Sequence, residues 1–330
     1  MRRTFSYAIL VIVGITLAAF TSCRTGGTPP TEIANTSQVT MGYAALRISL
    51  PVFVADDRKL FQKHGLSVKL QKYDTAQPMM DALVSGGIDV GGFCALPITF
   101  SAMARSKVDL LFLNALMEDQ SHPVSMLIVR DDSGIQSIGD LANKRIGILP
   151  TRAYEVWMRT ILAKNGVDAN SVIIQQVPPS LQAEALVSGS IQALFTNDPG
   201  ATSALARPGI RLLVKGAPVP HYIYEPFYFG SFNIRRDWAA RNPETVVKIS
   251  QALDEAIDIL NTDQAYAKGL MAKYVDPKLA AVADRYPDSL YRKSNQVTNA
   301  DLDKIYSYYL NSGIIASPLK LDSAQYHWQP

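Results

Sequence analysis

Two stretches decide the fold: DALVSGGIDVGG at residues 81–92 and EALVSGSIQALF at residues 184–195. Both contain ALVSG, starting at Ala82 and at Ala185, with an acid before it and an isoleucine two places after it. At this offset of 103 positions Met80 aligns with Ala183, Leu83 with Leu186, Val84 with Val187, Gly86 with Gly189 and Ile88 with Ile191. Residues 80, 83 and 84 stand at i, i+3 and i+4, one face of a helix, and the glycine stops each helix before a strand. A helix ending of this type recurs by chance as well, so the order of the flanking elements has to decide.

That order repeats. From residue 38 the chain reads QVTMGY (38–43) as a strand and PVFVADDRKLFQKHG (51–65) as a helix, with Ser49 as cap, Pro51 in the first turn and Gly65 at the close. LSVKLQKY (66–73), AQPMMDALVSGG (76–87), IDVGGF (88–93), LPITFSAMAR (96–105) and VDLLFLNAL (108–116) continue as strand, helix, strand, helix, strand. A second series runs from SIGDLANKRIGIL (137–149) through the helix TRAYEVWMRTILAKNG (151–166) to SVIIQQV, SLQAEALVSGS, IQALFT, PGATSALA and GIRLLVKG, ending at residue 216. Alternation of this kind implies α/β architecture, with parallel strands and helices on both faces. HYIYEPFYFGSFNIRRDW (221–238) is an extended aromatic segment, and beyond Pro243 the pattern is helical. This tail has no strand signal of its own and is expected to pack back on the first half. The expectation is therefore two lobes, each a mixed, mostly parallel sheet flanked by helices: 38–126 with 231–330, and 127–230. Two crossings near 124–129 and 229–233 would act as hinges.

The bulk numbers agree with a compact body. The chain has 330 residues, 48% hydrophobic and 18% charged, with a net charge of +3. That charge is spread without basic runs or interleaved aromatic stripes, which speaks against nucleic acid. At the start, Arg2 and Arg3 precede an apolar run at 8–20 and then small residues and Cys23, the pattern of an export signal over 1–22. The run falls short of the ~20 residues a membrane span needs. Residues 23–37, rich in Gly, Pro, Thr and Ser, read as a flexible tether. Cys94 is the second of two cysteines, unpaired, and reads as a small buried hydrophobe.

MGY, PVFVADDRKLFQKHGLSVKL, ALVSGGIDVGG, GDLANKRIGILP and ALVSGSIQALFTNDP, in this order, resemble the solute-binding proteins of ABC importers for nitrate, alkanesulfonates, taurine and thiamine precursors. The likeness runs from about Val39 to about Gly313. It implies a type II-like periplasmic-binding-protein fold that closes on one small-molecule ligand and delivers it to a transmembrane permease and its ATPase. FTSC (20–23) resembles a bacterial lipobox, departing from it at Phe20, where leucine is usual. The likeness implies lipidation of Cys23 and a monomeric body held beside the membrane, in the periplasm or at the cell surface. Plain signal cleavage, leaving a free thiol, is the alternative.

Ligands of open α/β sheets gather outside the carboxyl ends of the strands, where helix N-termini point. Four such ends are readable: 45–49, 93–97, 151–154 and 196–200. Arg47 and Arg152 either fork onto an anion or snorkel on the rim. Ser49 and Thr151 offer hydroxyls or simply cap helices. The likeness places the turn of Asn197 and Asp198 at the ligand, implying that one of them accepts from an amine; the alternative is that Asp198 only caps the helix after it. Tyr154 and Tyr228 are the aromatics expected in the pocket, with Trp157, Tyr222, Tyr224 and Phe229 assigned to core. Tyr73, Phe93, Cys94, Asn114 and Ser231 complete the candidate ligand set, and Asp74 and Glu118 read as solvated loop acids or as partners for a cation. No hydrolase, zinc-protease, P-loop or dinucleotide motif occurs, and His64, His122, His221 and His327 lack ligand spacing. Neither an enzyme nor a bound metal or cofactor is therefore expected. A pyrimidine-synthase enzyme of this fold would need a cysteine-rich segment that the chain lacks, and a ligand-sensing lipoprotein is the other competitor.

Overall fold

The computed structural model describes residues 38–319 and Trp328; the expected signal and Cys23 lie outside the described residues. The strands are β1 (Gln38–Ala44), β2 (Ser67–Tyr73), β3 (Val90–Ala95), β4 (Leu110–Glu118), β5 (Met126–Arg130), β6 (Arg145–Ile148), β7 (Ile173–Gln176), β8 (Ala193–Thr196), β9 (Ile210–Leu212), β10 (Phe227–Arg235) and β11 (Leu290–Arg292). They form two mixed α/β sheets, of order β11-β4-β10-β3-β1-β2 and β7-β6-β8-β5-β9. In each, the repeated strands run parallel, β2-β1-β3 and β7-β6-β8. One antiparallel strand is then inserted: β10 between β3 and β4, and β5 between β8 and β9.

The repeat therefore extends further than the sequence pattern. Arg235 ends β10 and Arg130 ends β5. Each guanidinium lies over the glycine that stops the repeated helix: a Cβ at Gly86 would stand 2.6 Å from Arg235 Nη1, and one at Gly189 2.5 Å from Arg130 Nη1. Both glycines have left-handed backbone, φ +80° and +75°, where only glycine is unstrained. A cation at a helix C-terminus also complements the carbonyls left unpaired there. Gly42 in β1 and Gly147 in β6 make a second matched pair. Cβ atoms there would stand 2.5 Å from the Ile88 Cδ1 and 2.4 Å from the Ile191 Cδ1, so the bare strand backbone lets each isoleucine dock.

Three local expectations are corrected. The helix from residue 51 breaks at Lys59, whose φ is +56°, into Leu50–Asp57 and Leu60–Lys63. Ser49 does not cap it; its hydroxyl turns back to the Ala44 carbonyl at 2.8 Å. The tail carries a strand of its own, β11, on the β4 edge, while the long helix Pro243–Thr262 packs on Leu50–Asp57. No described helix is long and apolar enough to cross a membrane.

Candidate functional site

A cavity of about 80 Å³ lies where chain leaving both sheets converges. From the six-stranded sheet come Leu46 and Ile48 after β1, Thr75, Ala76 and Gln77 after β2, and Ala95, Pro97 and Ile98 after β3. From the five-stranded sheet come Leu149, Pro150, Thr151, Ala153 and Tyr154 after β6, Pro179 after β7 and Asn197 after β8. Three helices of ten residues or more, Ala76–Ser85, Leu96–Ser106 and Arg152–Lys164, begin here. Thr75 and Ala95 make no side-chain cap to theirs, so first-turn amides and the positive dipole ends face the cavity region. Among the described residues no charged side chain lines this cavity. Its polarity comes from neutral groups, and most of its wall is aliphatic or aromatic. The volume is well below the ~300–1,000 Å³ of drug-sized pockets, so the occupant is small or the halves part to admit it.

Tyr154, Trp157 and Phe229 form the aromatic wall. The Tyr154 ring packs on Trp157 and Phe195, with centroids 5.2 and 4.9 Å away. Its backbone N–H donates to the Thr151 hydroxyl oxygen at 3.3 Å, the cap of helix Arg152–Lys164. The Tyr154 hydroxyl is buried and has no hydrogen-bond partner among the described residues. Burial raises its pKa well above the ordinary tyrosine value, with Glu118 and Asp198 adding to the effect, so the hydroxyl stays protonated.

Behind this cavity, and sharing Ile48 and Asn197 with it, lies a smaller one bounded by Arg47 and Asp198. Arg47 Nε is 2.8 Å from Asp198 Oδ2 and both side chains are buried. Arg47 also donates to the carbonyls of Pro123 and Pro287 and to the Ser289 hydroxyl. Asp198 Oδ1 accepts from the Thr202 N–H at 3.0 Å and the Thr202 hydroxyl at 2.7 Å. One ion pair thus ties the end of β1 in one sheet to the end of β8 in the other. Glu118, at the end of β4, is buried too. It accepts from the Val124 N–H at 2.9 Å and the Ser125 hydroxyl at 2.7 Å, and Ser125 Oγ in turn accepts from the Val219 N–H at 3.2 Å. Burial pushes the Glu118 carboxyl up to about 7.

Of the candidate ligand residues, Thr151, Tyr154 and Asn197 line the main cavity. Arg47 and Asp198 are committed to each other. Arg152 is 60% exposed beside Glu155 and flanks an adjoining open groove with Gln77 and Thr151. Ser49 bonds to Ala44, Tyr73 accepts from Gln71 Nε2, Asn114 donates to Asp254, Tyr228 donates to Asp301, and Ser231 donates to Asn233. Phe93 packs on Phe232 and Tyr291, and Cys94 is buried opposite Ser231. These seven are absent from the cavity wall. Glu118 is no solvated loop acid, because its strand ends inside the protein. Thr75, Gln77 and Pro179 went unread as site residues. The repeat held their signal, since residues 75 and 178 stand at the same 103-position offset and both follow strands.

Comparison with known proteins agrees with this architecture. The chain is 25% identical over 305 residues to the nitrate/nitrite binding protein NrtA of Synechococcus elongatus, covering 84% of this chain and 68% of that protein. The alkanesulfonate-binding protein SsuA from Xanthomonas axonopodis pv. citri, bound to MOPS, superposes with a TM-score of 0.69 at 20% identity, over 88% of this chain and 99% of SsuA. The desulfurization enzyme DSZB shares the fold as well, with a TM-score of 0.63 at 15% identity over 87% and 96% of the two chains. The model of the NMT1-like family matches residues 32–275. On that match, which spans the whole five-stranded sheet and every strand of the six-stranded sheet but β11, the chain belongs to the NMT1-like family.

Proposed function

We propose that this chain is the solute-binding component of an ABC importer, holding a small organic solute in its interlobe cleft and delivering it to a permease driven by an ATPase. The observation that carries the reading is the cavity into which helix starts from both sheets converge. Uncapped helix N-termini favour an anionic head group, and the aliphatic and aromatic wall favours an organic body. A sulfonate or a taurine-like zwitterion meets both demands better than nitrate, which has no body to bury. Binding of nitrate/nitrite by NrtA and of alkanesulfonates by SsuA supports the same chemistry. A planar heterocycle such as a thiamine-precursor pyrimidine is the second reading, favoured by the aromatic wall of Tyr154, Trp157 and Phe229.

In this proposal the lobes are residues 38–118 with 227 onward and residues 126–212, closing about the links 119–125 and 213–226. The crossings expected near 124–129 and 229–233, and the boundaries at 126/127 and 230/231, fall on β5 and β10 and move to these links. Thr151, Tyr154 and Asn197 contact the ligand, joined by Thr75 and Gln77, with Arg152 at the rim. The protein binds without chemistry. Cys94, the one cysteine among the described residues, is buried with its thiol pushed up to about 12, so it supplies no thiolate nucleophile. Export, with lipidated Cys23 holding a monomeric body beside a bacterial membrane, completes the reading. It predicts that Cys23→Ser abolishes labelled-palmitate incorporation. The test of binding is a thermal-shift screen with alkanesulfonates, taurine, nitrate, aromatic carboxylates, pyrimidines and flavins. A bound solute raises the melting temperature, alkanesulfonates or taurine are expected to do so, and a panel without effect sinks the proposal.

A further inference from the structure

We infer that the solute's anionic group is held at the mouth of the cleft, between Arg105 and Arg152, with its apolar body lying inward; the inference rests on the cavity being the ligand site. The cavity adjoins a groove of about 230 Å³, with which it shares Gln77, Pro97, Ile98, Pro150, Thr151 and Ala153. Two arginines stand in the groove wall, one from each proposed lobe: Arg105 on helix Leu96–Ser106 and Arg152 on helix Arg152–Lys164. Their side chains are 63% and 60% exposed, so both are open to a solute. Among the described residues the groove wall holds no acid.

Both arginines are loosely engaged. Arg105 Nη2 lies 3.5 Å from Asp81 Oδ1, an oxygen that already accepts from Gln77 Nε2 at 2.9 Å. Arg152 Nη1 lies 3.5 Å from Glu155 Oε2, and the other oxygen of that carboxylate accepts from Arg159 Nε at 3.1 Å. A charge-assisted hydrogen bond is usually about 2.7–2.9 Å long, so each guanidinium keeps most of its bonding capacity for another partner. Two cations brought together as the mouth narrows repel each other, and an anion between them is attracted to both. The inner cavity has no such partner, because its described wall carries no charged side chain and Arg47 behind it is paired with Asp198. An ionised group pushed inward would lose water without gaining a counter-charge. First-turn residues Gln77, Ile98 and Arg152 of the three helices that begin at the cavity also line the groove, so the positive helix ends act on a head group placed there. The solute class is a short amphiphilic anion, an alkyl or aryl sulfonate or carboxylate. A neutral solute with the same body gains nothing from the mouth.

The experiment is calorimetry on the full chain, on Arg105→Gln, Arg152→Gln and their double variant, and on Arg241→Gln, an equally exposed arginine outside the groove. The probes are butanesulfonate and benzenesulfonate beside their neutral sulfonamides. Each groove variant is expected to weaken sulfonate binding by about three- to tenfold and the double variant by about ten- to hundredfold. Sulfonamide binding should hold in every variant, which shows that the cleft is still folded, and Arg241→Gln should change neither. Raising the salt from about 50 mM to about 500 mM should weaken sulfonate binding to the wild type and far less to the double variant. Sulfonate affinity unchanged in the double variant, lost equally in Arg241→Gln, or lost together with sulfonamide affinity overturns the role of the two arginines and leaves the cleft reading in place. Failure of every probe to bind the wild type overturns both.

Discussion

Arg47 and Asp198 show how a side chain with the right chemistry is taken out of ligand service. Each stands at a helix start, and each alone reads as a ligand contact. Together they form a buried pair at 2.8 Å, and their charges are spent on each other. Removing one partner strands the other without compensation, at a cost of about 3–5 kcal/mol. Asp198→Ala is therefore expected to lower the unfolding free energy by that amount in urea titrations; a loss below about 1 kcal/mol would show that water reaches Arg47. Glu118 carries a pH signature. Its carboxyl rises from 4.5 to about 7 on folding, so the folded protein keeps a proton that the unfolded chain releases. The stability this group contributes is complete below pH 4.5 and is lost as the pH climbs through about 7, by at most roughly 3 kcal/mol. Glu118→Gln should flatten that slope between about pH 5 and about pH 8, measured as unfolding free energy against pH. An identical slope in the variant would assign the pH dependence elsewhere. Local reading put Thr151, Tyr154 and Asn197 at strand ends followed by helix starts, a local pattern, and they do line the cavity. It missed the fate of Arg47, because Asp198 reaches it from the other half of the chain, and that of Glu118, because the loop after β4 folds back to give it the Val124 N–H and the Ser125 hydroxyl.

The repeated helix endings govern the elements. Ala76–Ser85 and Gln182–Val187 each stop at a left-handed glycine beneath an arginine. The guanidinium is the free end of a flexible side chain and moves aside for a methyl group, whereas the backbone conformation does not. Gly86→Ala and Gly189→Ala should each cost about 1–2 kcal/mol in thermal unfolding. The double variant should cost their sum, because the two sites lie in different sheets. Equal melting temperatures for wild type and double variant would mean that these turns relax freely. The glycines and the apolar helix face were legible from the 103-position offset. The arginines were not, because Arg130 and Arg235 belong to strands whose pairing is long-range. For the same reason VDLLFLNAL reads correctly as a strand, β4, although its neighbour is β10 rather than β3.

At the scale of the whole molecule, two sheets, an α/β pattern and the side on which the strand ends meet were readable, since they follow from alternation and repetition. The inserted strand was not. β10 lies between β3 and β4 and pairs with both along its length, yet it follows the entire five-stranded sheet in sequence. A chain ending before Phe227 leaves β3 and β4 with bare edges facing each other. Such a fragment is expected to show no cooperative calorimetric transition for the first sheet, and a sharp one would refute this dependence. The same arrangement sets a timetable for biogenesis. About two-thirds of the polypeptide must leave the ribosome before the wedge that joins β3 to β4 in the leading sheet exists, while the later-made sheet has all its strands by residue 212. The part synthesised first is thus finished last. The export proposed above gains from that delay, because the leading portion stays threadable until the trailing portion arrives.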